Sequence, residues 1–532
     1  MHAESRRQLS KFTAIFAGGT MISRVLGLVR DIVIAKMIPT MSRDSFLVAF
    51  FFPNMLRDIV GEGASNAAFV PILSETLEKD KEAAFRELTS ALMSAMIVVL
   101  GVLTVAGVVF MPYVLELARA LESVTGVAGR SREDIAFTAS LTRWTFPYIF
   151  FIGLTVFQMG PLFILRHYST PSWSPALLNV FMIVMCFGVF RNAFPDPAYA
   201  LVVGVWLGGI SQFLVQYIAL GRRTGAWLPN FRLRHPGVRA ALWLLVPVII
   251  GQAAGEVNKL VNTMFAYSLA EGTVTALQYA NRLVQLPLAI FGIAIAAAIL
   301  PSISRSAARA DRAEARGTLI YGLRQSYFLI CPAVVVLMVL ARPIVRLLFQ
   351  WGHFDAALAD KTAVATAFYA SGLLFFAWVK ILVSGFYALK NTKTPVIIAS
   401  CSMLLNVAMN FAIVRRMGYQ GLALSTTVSY GMNFLLLYVL LGKMYGRLWD
   451  AHFVSTLVRV TLAGAGMAVV LVAVHGQVAA LWPGTGLVAR MVEVAAPLAV
   501  ACIAYLALCA LLRVGELKPF VALLRKRAAT EN

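Results

Sequence analysis

Residues 23–31 read SRVLGLVRD and set Arg24, Arg30 and Asp31 inside an otherwise apolar run from Phe12 to Ile38. A charge near a bilayer centre costs at least ~2.5 to 3.5 kcal/mol on insertion scales, so such groups face protein or a water-filled cavity and are functional candidates. Guanidinium offers planar, paired donors that stay charged at any biological pH, a match for phosphate or carboxylate oxygens. At ~100° per residue, Arg24 and Asp31 fall within ~20° of each other, with Gly27 on their stripe and Arg30 ~120° round the helix. This makes Arg24 the stronger candidate of the two arginines, with Ser23 beside it.

The same residue types recur. The next apolar run opens at Asp44 and continues into FFFPNMLRD, with Pro53, Asn54, Arg57 and Asp58. Pro53 interrupts the helical hydrogen-bond ladder, and Asn54 can help restore it. GEGAS (61–65) then brings Glu62. Downstream, Glu256 and Lys259 stand three residues apart and read first as a mutually neutralising i,i+3 pair. YANRLVQLP supplies Asn281, Arg282, Gln285 and Pro287. A cationic cavity in an apolar protein argues for an anionic substrate, a phosphorylated amphiphile whose tail stays in lipid. Asp31, Asp44 and Glu62 are then charge partners that hold arginines in one conformation and release them in another.

The elements carrying these groups are membrane spans. The chain has 532 residues, 60% hydrophobic and only 13% charged, with a mean hydropathy of +0.78; soluble chains carry ~25% charged residues. A span needs ~20 apolar residues, and lipid-facing backbone must satisfy its own hydrogen bonds, so the spans are helices. About fourteen are expected, near 11–38, 44–60, 87–111, 134–165, 173–190, 198–220, 238–268, 274–300, 318–340, 362–389, 394–414, 419–441, 453–474 and 487–512. Arg6, Arg7 and Lys11 before the first run resemble a signal peptide, but Arg24 and Arg30 interrupt it and no small-residue cleavage site ends it, so a retained span is expected.

An even count puts both termini on one side. With that side cytoplasmic, the basic connections 221–239 and 302–317 and the tail bearing Lys518, Arg525, Lys526 and Arg527 all lie inside, as the positive-inside rule requires. Topology thus accounts for the net charge of +21 without nucleic acid. Three pairs of segments repeat in order: AAFVPILSE with AAILPSISR, STPSWSPALLNV with KTPVIIASCSMLLNV, and QFLVQY with NFLLLY, at offsets of about 221 to 230 residues. Each offset equals six spans, which predicts parallel repeats, an N-terminal lobe 1–222 and a C-terminal lobe 223–445, followed by two extra helices and a basic tail in 446–532.

Enzyme signatures are missing from the sequence: no metal-ligand spacing, nucleophile elbow or Walker loop. The five cysteines, all in apolar segments without a CxxC pair, read as small buried hydrophobes. ETLEKDKEAAFRE (75–87) reads as a solvated helix, and His353 as a surface histidine. No cofactor or metal is called for.

SRVLGLVRD, DSFLVAFFFPNMLRDIVGEGASNAAFVPILSE (44–75), YANRLVQLPLAIFGIAIAAAILPSISRS (279–306), LFQWGHF (348–354) and GFYALKNTKTPV (385–396) together resemble the MurJ/MviN family of lipid II flippases, within the multidrug/oligosaccharidyl-lipid/polysaccharide exporter class. The resemblance covers roughly residues 10 to 440. It implies an all-α polytopic fold of two six-helix lobes around a cationic cavity, two C-terminal helices forming a groove for a lipid tail, and residence in the bacterial inner membrane. It also implies lipid II as substrate, flipped from inner to outer leaflet; membrane lipids are the other expected partner, and a monomer is expected. Position by position, Arg24, Arg30, Arg57 and Arg282 match the family's cavity arginines, with Ser23 and Asn54 beside them, and Asp44 and Glu62 match gating acids. Two departures stand out: Asn281 and Gln285 occupy positions where relatives commonly carry acids, and Phe51 replaces a basic residue of some members. An exporter of another polyprenyl-linked oligosaccharide is the alternative; a cation-coupled drug antiporter would favour acids over arginines in its cavity.

Overall fold

The computed structural model describes residues 3–59, 66–122, 126, 130–224, 228–484 and 486–518. Glu62 and the tail residues Arg525, Lys526 and Arg527 lie outside them. The described residues fold as helices: α1 (Ala3–Met37), α2 (Thr40–Arg57), α3 (Asn66–Ala120), α4 (Arg132–Thr145), α5 (Tyr148–Ile164), α6 (Ser169–Trp173), α7 (Pro175–Met185), α8 (Gly188–Arg191) and α9 (Pro197–Thr224). Then come α10 (Pro236–Tyr267), α11 (Thr273–Pro287), a π-helical turn (Leu288–Ile293), α12 (Ala294–Ala308), α13 (Arg312–Val339) and α14 (Ala341–Leu348). The chain continues through α15 (Ala356–Ala388), α16 (Lys393–Tyr445), α17 (Ala451–Leu481) and α18 (Leu487–Leu511). Nine helical stretches among the described residues are long and apolar enough to cross a membrane. The protein is an all-α, multi-pass membrane protein.

Where the expected spans and the helices differ, proline and glycine are the reason. The run 134–165 divides into α4 and α5 at Pro147, which has no N–H to continue the ladder. The run 173–190 is assembled from short pieces, α7 beginning with Pro175 at its first position, where a missing N–H costs nothing. The expected spans 394–414 and 419–441 are joined in α16, which breaks only at Gly418, whose φ of 55° and ψ of −133° suit no residue with a Cβ. Residues 75–87, expected as a solvated helix, are part of α3, with Glu75, Lys79, Glu82 and Glu87 exposed, Phe85 buried, and a Lys79–Glu75 pair at 2.5 Å.

Packing divides the chain into two compact units, Met1–Thr275 with Trp351–Phe354, and Ala276–Gln350 with Asp355–Asn532. α10 packs along α3 and belongs to the first unit. The first unit is built around Ile34, Phe46, Leu141, Tyr148, Met182 and Val205. The second has one core around Leu319, Leu323, Trp378 and Leu441, and another where α13 meets α17 and α18 at Phe328, Val460 and Tyr505. The α17–α18 hairpin is fastened at both ends: Arg324 pairs with buried Glu516 at 2.5 Å, and Arg490 donates to the Arg346 and Gln350 carbonyls at 2.9 and 2.7 Å. Of the cysteines, Cys186 and Cys509 are buried, whereas Cys401 and Cys502 are exposed on apolar helix faces.

Candidate functional site

On α1 the charges separate differently from the helical-wheel reading. Arg30 and Asp31 are both buried, and Arg24 is exposed. The Arg30 guanidinium donates from Nε and Nη2 to Asp31 Oδ1 at 3.0 and 2.7 Å, and from Nη1 to Asn179 Oδ1 on α7 at 2.9 Å. Asn179 in turn donates to the Ser23 carbonyl at 3.1 Å. A wheel angle places Cβ only, and the long arginine stem carries its guanidinium round to the neighbouring carboxylate. Arg30, the weaker candidate by angle, is therefore the arginine built into the helix packing. Ser23 enters through its backbone, and Gly19 lets α1 approach so closely that a Cβ there would lie 2.8 Å from Ser172.

Around Asp44 the structure builds a saturated knot. Asp44 is fully buried and receives Arg130 Nη2 at 2.5 Å, the Gly272 and Thr275 amides at 2.8 and 3.0 Å, and the Thr275 hydroxyl at 2.6 Å. The two amides flank the start of α11, so Asp44 acts as that helix's N-cap from a distant part of the sequence. The Arg130 guanidinium lies over the Tyr267 ring, and the Tyr267 hydroxyl meets Thr138 at 2.6 Å.

The same region closes the C-terminal end of α1. Helices end with carbonyls that have no internal partner. Here Arg43 donates to the Ala35 and Ile38 carbonyls at 3.0 and 3.2 Å, Arg191 to Met37 at 3.0 Å, and the His353 amide to Lys36 at 3.2 Å. Cations at a helix C-terminus also complement its dipole. The FQWGHF loop works through Gly352, whose φ is +59° and where a Cβ would fall 2.2 Å from the Lys36 oxygen; the His353 side chain is exposed, as expected.

At the other end of α2, Asn54 donates to the Phe50 carbonyl at 2.9 Å, its own i−4 acceptor, rather than to the Ala49 carbonyl, to which Pro53 has no N–H to donate. Arg57 donates to Asp58 Oδ1 at 2.8 and 3.1 Å. Asp58 Oδ2 lies 3.7 Å from Lys259 Nζ, and Lys259 donates to Glu256 at 2.6 Å. The i,i+3 pair expected on α10 is thus part of a longer chain of alternating charge. In the second unit, Asn281, Arg282 and Gln285 lie on one exposed face of α11 opposite buried Leu283 and Val284, just before Pro287 and the π turn. Arg43, Arg130 and the role of Asp58 escaped the sequence reading: Arg130 sits outside every apolar run, and no spacing links it to Asp44.

Comparison with known proteins follows the same lines. A family model described as lipid II flippase MurJ matches residues 35–493. The lipid II flippase MurJ of Burkholderia cenocepacia is 36% identical over 80% of this chain and 82% of its own length. The probable lipid II flippase MurJ of Bdellovibrio bacteriovorus is 33% identical over 92% of this chain and 93% of its own. Among solved structures, a lipid II flippase MurJ in an inward closed conformation superposes with a TM-score of 0.74 at 23% identity, covering 94% of this chain and 98% of that one. An inward-facing multidrug-resistance MATE transporter gives 0.65 at 14% identity, over 81% of this chain and 97% of its own, a likeness of fold alone. The extent of the family match and the identity to full-length relatives establish that this chain belongs to the MurJ family of lipid II flippases.

Proposed function

We propose that the protein carries lipid II, the undecaprenyl-pyrophosphate-linked peptidoglycan precursor, from the inner to the outer leaflet of the bacterial inner membrane by alternating access, leaving it chemically unchanged. The match to the family over residues 35–493 carries this reading. Arg24 and Arg282, exposed on their helices, and Arg57, partly exposed, are assigned to the pyrophosphate. Each charge-assisted bond to phosphate contributes ~1.5 to 3 kcal/mol. Arg30 reaches substrate only if its bonds to Asp31 and Asn179 open, so in this conformation it positions α1. Asp44 holds the start of α11 and serves as the gating acid. Fourteen spans in two six-span lobes plus a terminal hairpin, with both termini cytoplasmic, complete the topology; the basic connections 221–239 and 302–317 support it.

The test is depletion of a bacterial host's own flippase, rescued by this protein or by its Arg24→Ala, Arg57→Ala and Arg282→Ala variants at equal expression. Rescue by the parent and loss of rescue in the variants is expected. No rescue by the well-expressed parent, or full rescue by all three variants, overturns the assignment.

A further inference from the structure

The charge chain at the end of α2 has an arrangement that the assignment of Arg57 alone leaves unexplained. Asp58 is bracketed by two cations from different helices, with Arg57 on one carboxylate oxygen at 2.8 Å and Lys259 facing the other at 3.7 Å. Glu256 stands behind Lys259 at 2.6 Å. The side chains of Lys259, Asp58 and Arg57 are 56%, 29% and 27% exposed, that of Glu256 only 10%. The accessible side of the cluster therefore shows two cations with one carboxylate between them, while Glu256 anchors the lysine from within. Glu256 Oε2 is buried without a hydrogen-bond partner among the described residues, so it adds no further tie to the cluster.

A guanidinium and an ammonium converging on one oxyanion make a receptor for phosphate. The four charges sum to zero, and an incoming anion gains from the two cations only by taking the place of a carboxylate. Asp58 is the one within reach. Partly exposed ion pairs contribute only ~0–1 kcal/mol, so a phosphate group with more charge and more acceptor oxygens can displace it. We propose that Arg57 and Lys259 together form a phosphate receptor, and that Asp58 occupies it as an intramolecular competitor when no ligand is bound. This gives Lys259 a direct role in binding and makes Asp58 the group that returns to the cations on release. The proposal rests on the lipid II reading for its natural occupant; the chemistry recognised is a phosphate or pyrophosphate group, attached to a lipid or free.

The test is equilibrium binding to the full-length protein in nanodiscs of zwitterionic lipid, with lipid II and inorganic pyrophosphate as separate probes. For lipid II, Asp58→Asn is expected to tighten binding roughly fivefold to tenfold, Lys259→Ala to weaken it roughly tenfold, and Lys259→Arg to bind close to parent. Because Lys259→Ala leaves Glu256 without its cation, Glu256→Gln/Lys259→Met is carried alongside, with thermal stability as the folding control; it too is expected to bind about tenfold more weakly. If the parent binds pyrophosphate and the variants shift it in this order while lipid II is not bound, the receptor stands and the lipid II reading falls. If lipid II binds the parent, Lys259→Ala and Glu256→Gln/Lys259→Met equally, or if Asp58→Asn binds more weakly than parent, the receptor is overturned while the lipid II reading stands.

Discussion

Asp44 and Asp58 stand at opposite ends of α2, the same residue type put to opposite uses. Asp44 is fully buried, with four donors on its two oxygens. Asp58 is partly exposed, with one bound cation and another at longer range. Attraction between charges grows as the surrounding dielectric falls, and so does the penalty for removing one member of a pair. A carboxylate closed in by donors is a fastening, whereas a partly exposed one is held less tightly. The helix that joins them thus has one carboxylate closed in by donors and one partly exposed between two cations.

Removing each carboxylate in turn separates the two most clearly. Asp44→Ala leaves Arg130 without its counter-ion in a buried place, and such losses cost ~3–5 kcal/mol. Asp58→Asn, at a partly exposed pair, is expected to cost less than about 1 kcal/mol. Thermal unfolding in detergent measures both, and equal losses would erase the distinction. Between these two lies Gly352→Ala, which places a Cβ at positive φ, a penalty of ~1–2 kcal/mol, and drives that atom into the Lys36 carbonyl. A Tm at the parent value would mean that the FQWGHF loop does not hold the end of α1. Asn179→Ala removes the acceptor of buried Arg30 and is expected to cost ~1–3 kcal/mol. If that variant unfolds like the parent, Arg30 belongs with the exchangeable groups rather than with the fastened ones.

The sequence already contained the all-α, multi-pass character, because apolar length is a local property that hydropathy reads directly; against the fourteen spans expected, nine helical stretches among the described residues are long and apolar enough to cross a membrane. It also contained the charges at Arg24, Arg30, Arg57 and Arg282, since each interrupts an apolar run. What it lacked was their partners. Arg30 meets Asn179, Asp44 meets Arg130 and Thr275, and Asp58 meets Lys259 across long sequence separations. Only the fold brings these together. The Glu256–Lys259 pair was legible because an i,i+3 spacing is local, but its extension to Asp58 was not. Helical-wheel angles ranked Arg24 above Arg30 for the polar face, and the structure buries Arg30 instead, because a guanidinium's position depends on a long flexible stem as much as on its Cβ.

The weakest expected effect lies between the two extremes that Asp44 and Asp58 define. His167, in the connection between α5 and α6, meets the Thr170 hydroxyl at 2.5 Å. Partial burial, and secondarily the nearby Arg223 charge, hold its imidazole below the ordinary value of 6.5. The folded chain then binds this proton less readily than the unfolded chain does, so stability rises with pH across the interval. The contribution is complete above about 6.5 and is lost as pH falls from there through the folded value. Thermal unfolding between pH 8 and 5 should therefore show a steeper acid loss in the parent than in His167→Gln, which has no proton to gain. Superimposable pH profiles would place this histidine in ordinary solvent contact, free of both the burial and the Arg223 field that set it apart from a surface residue.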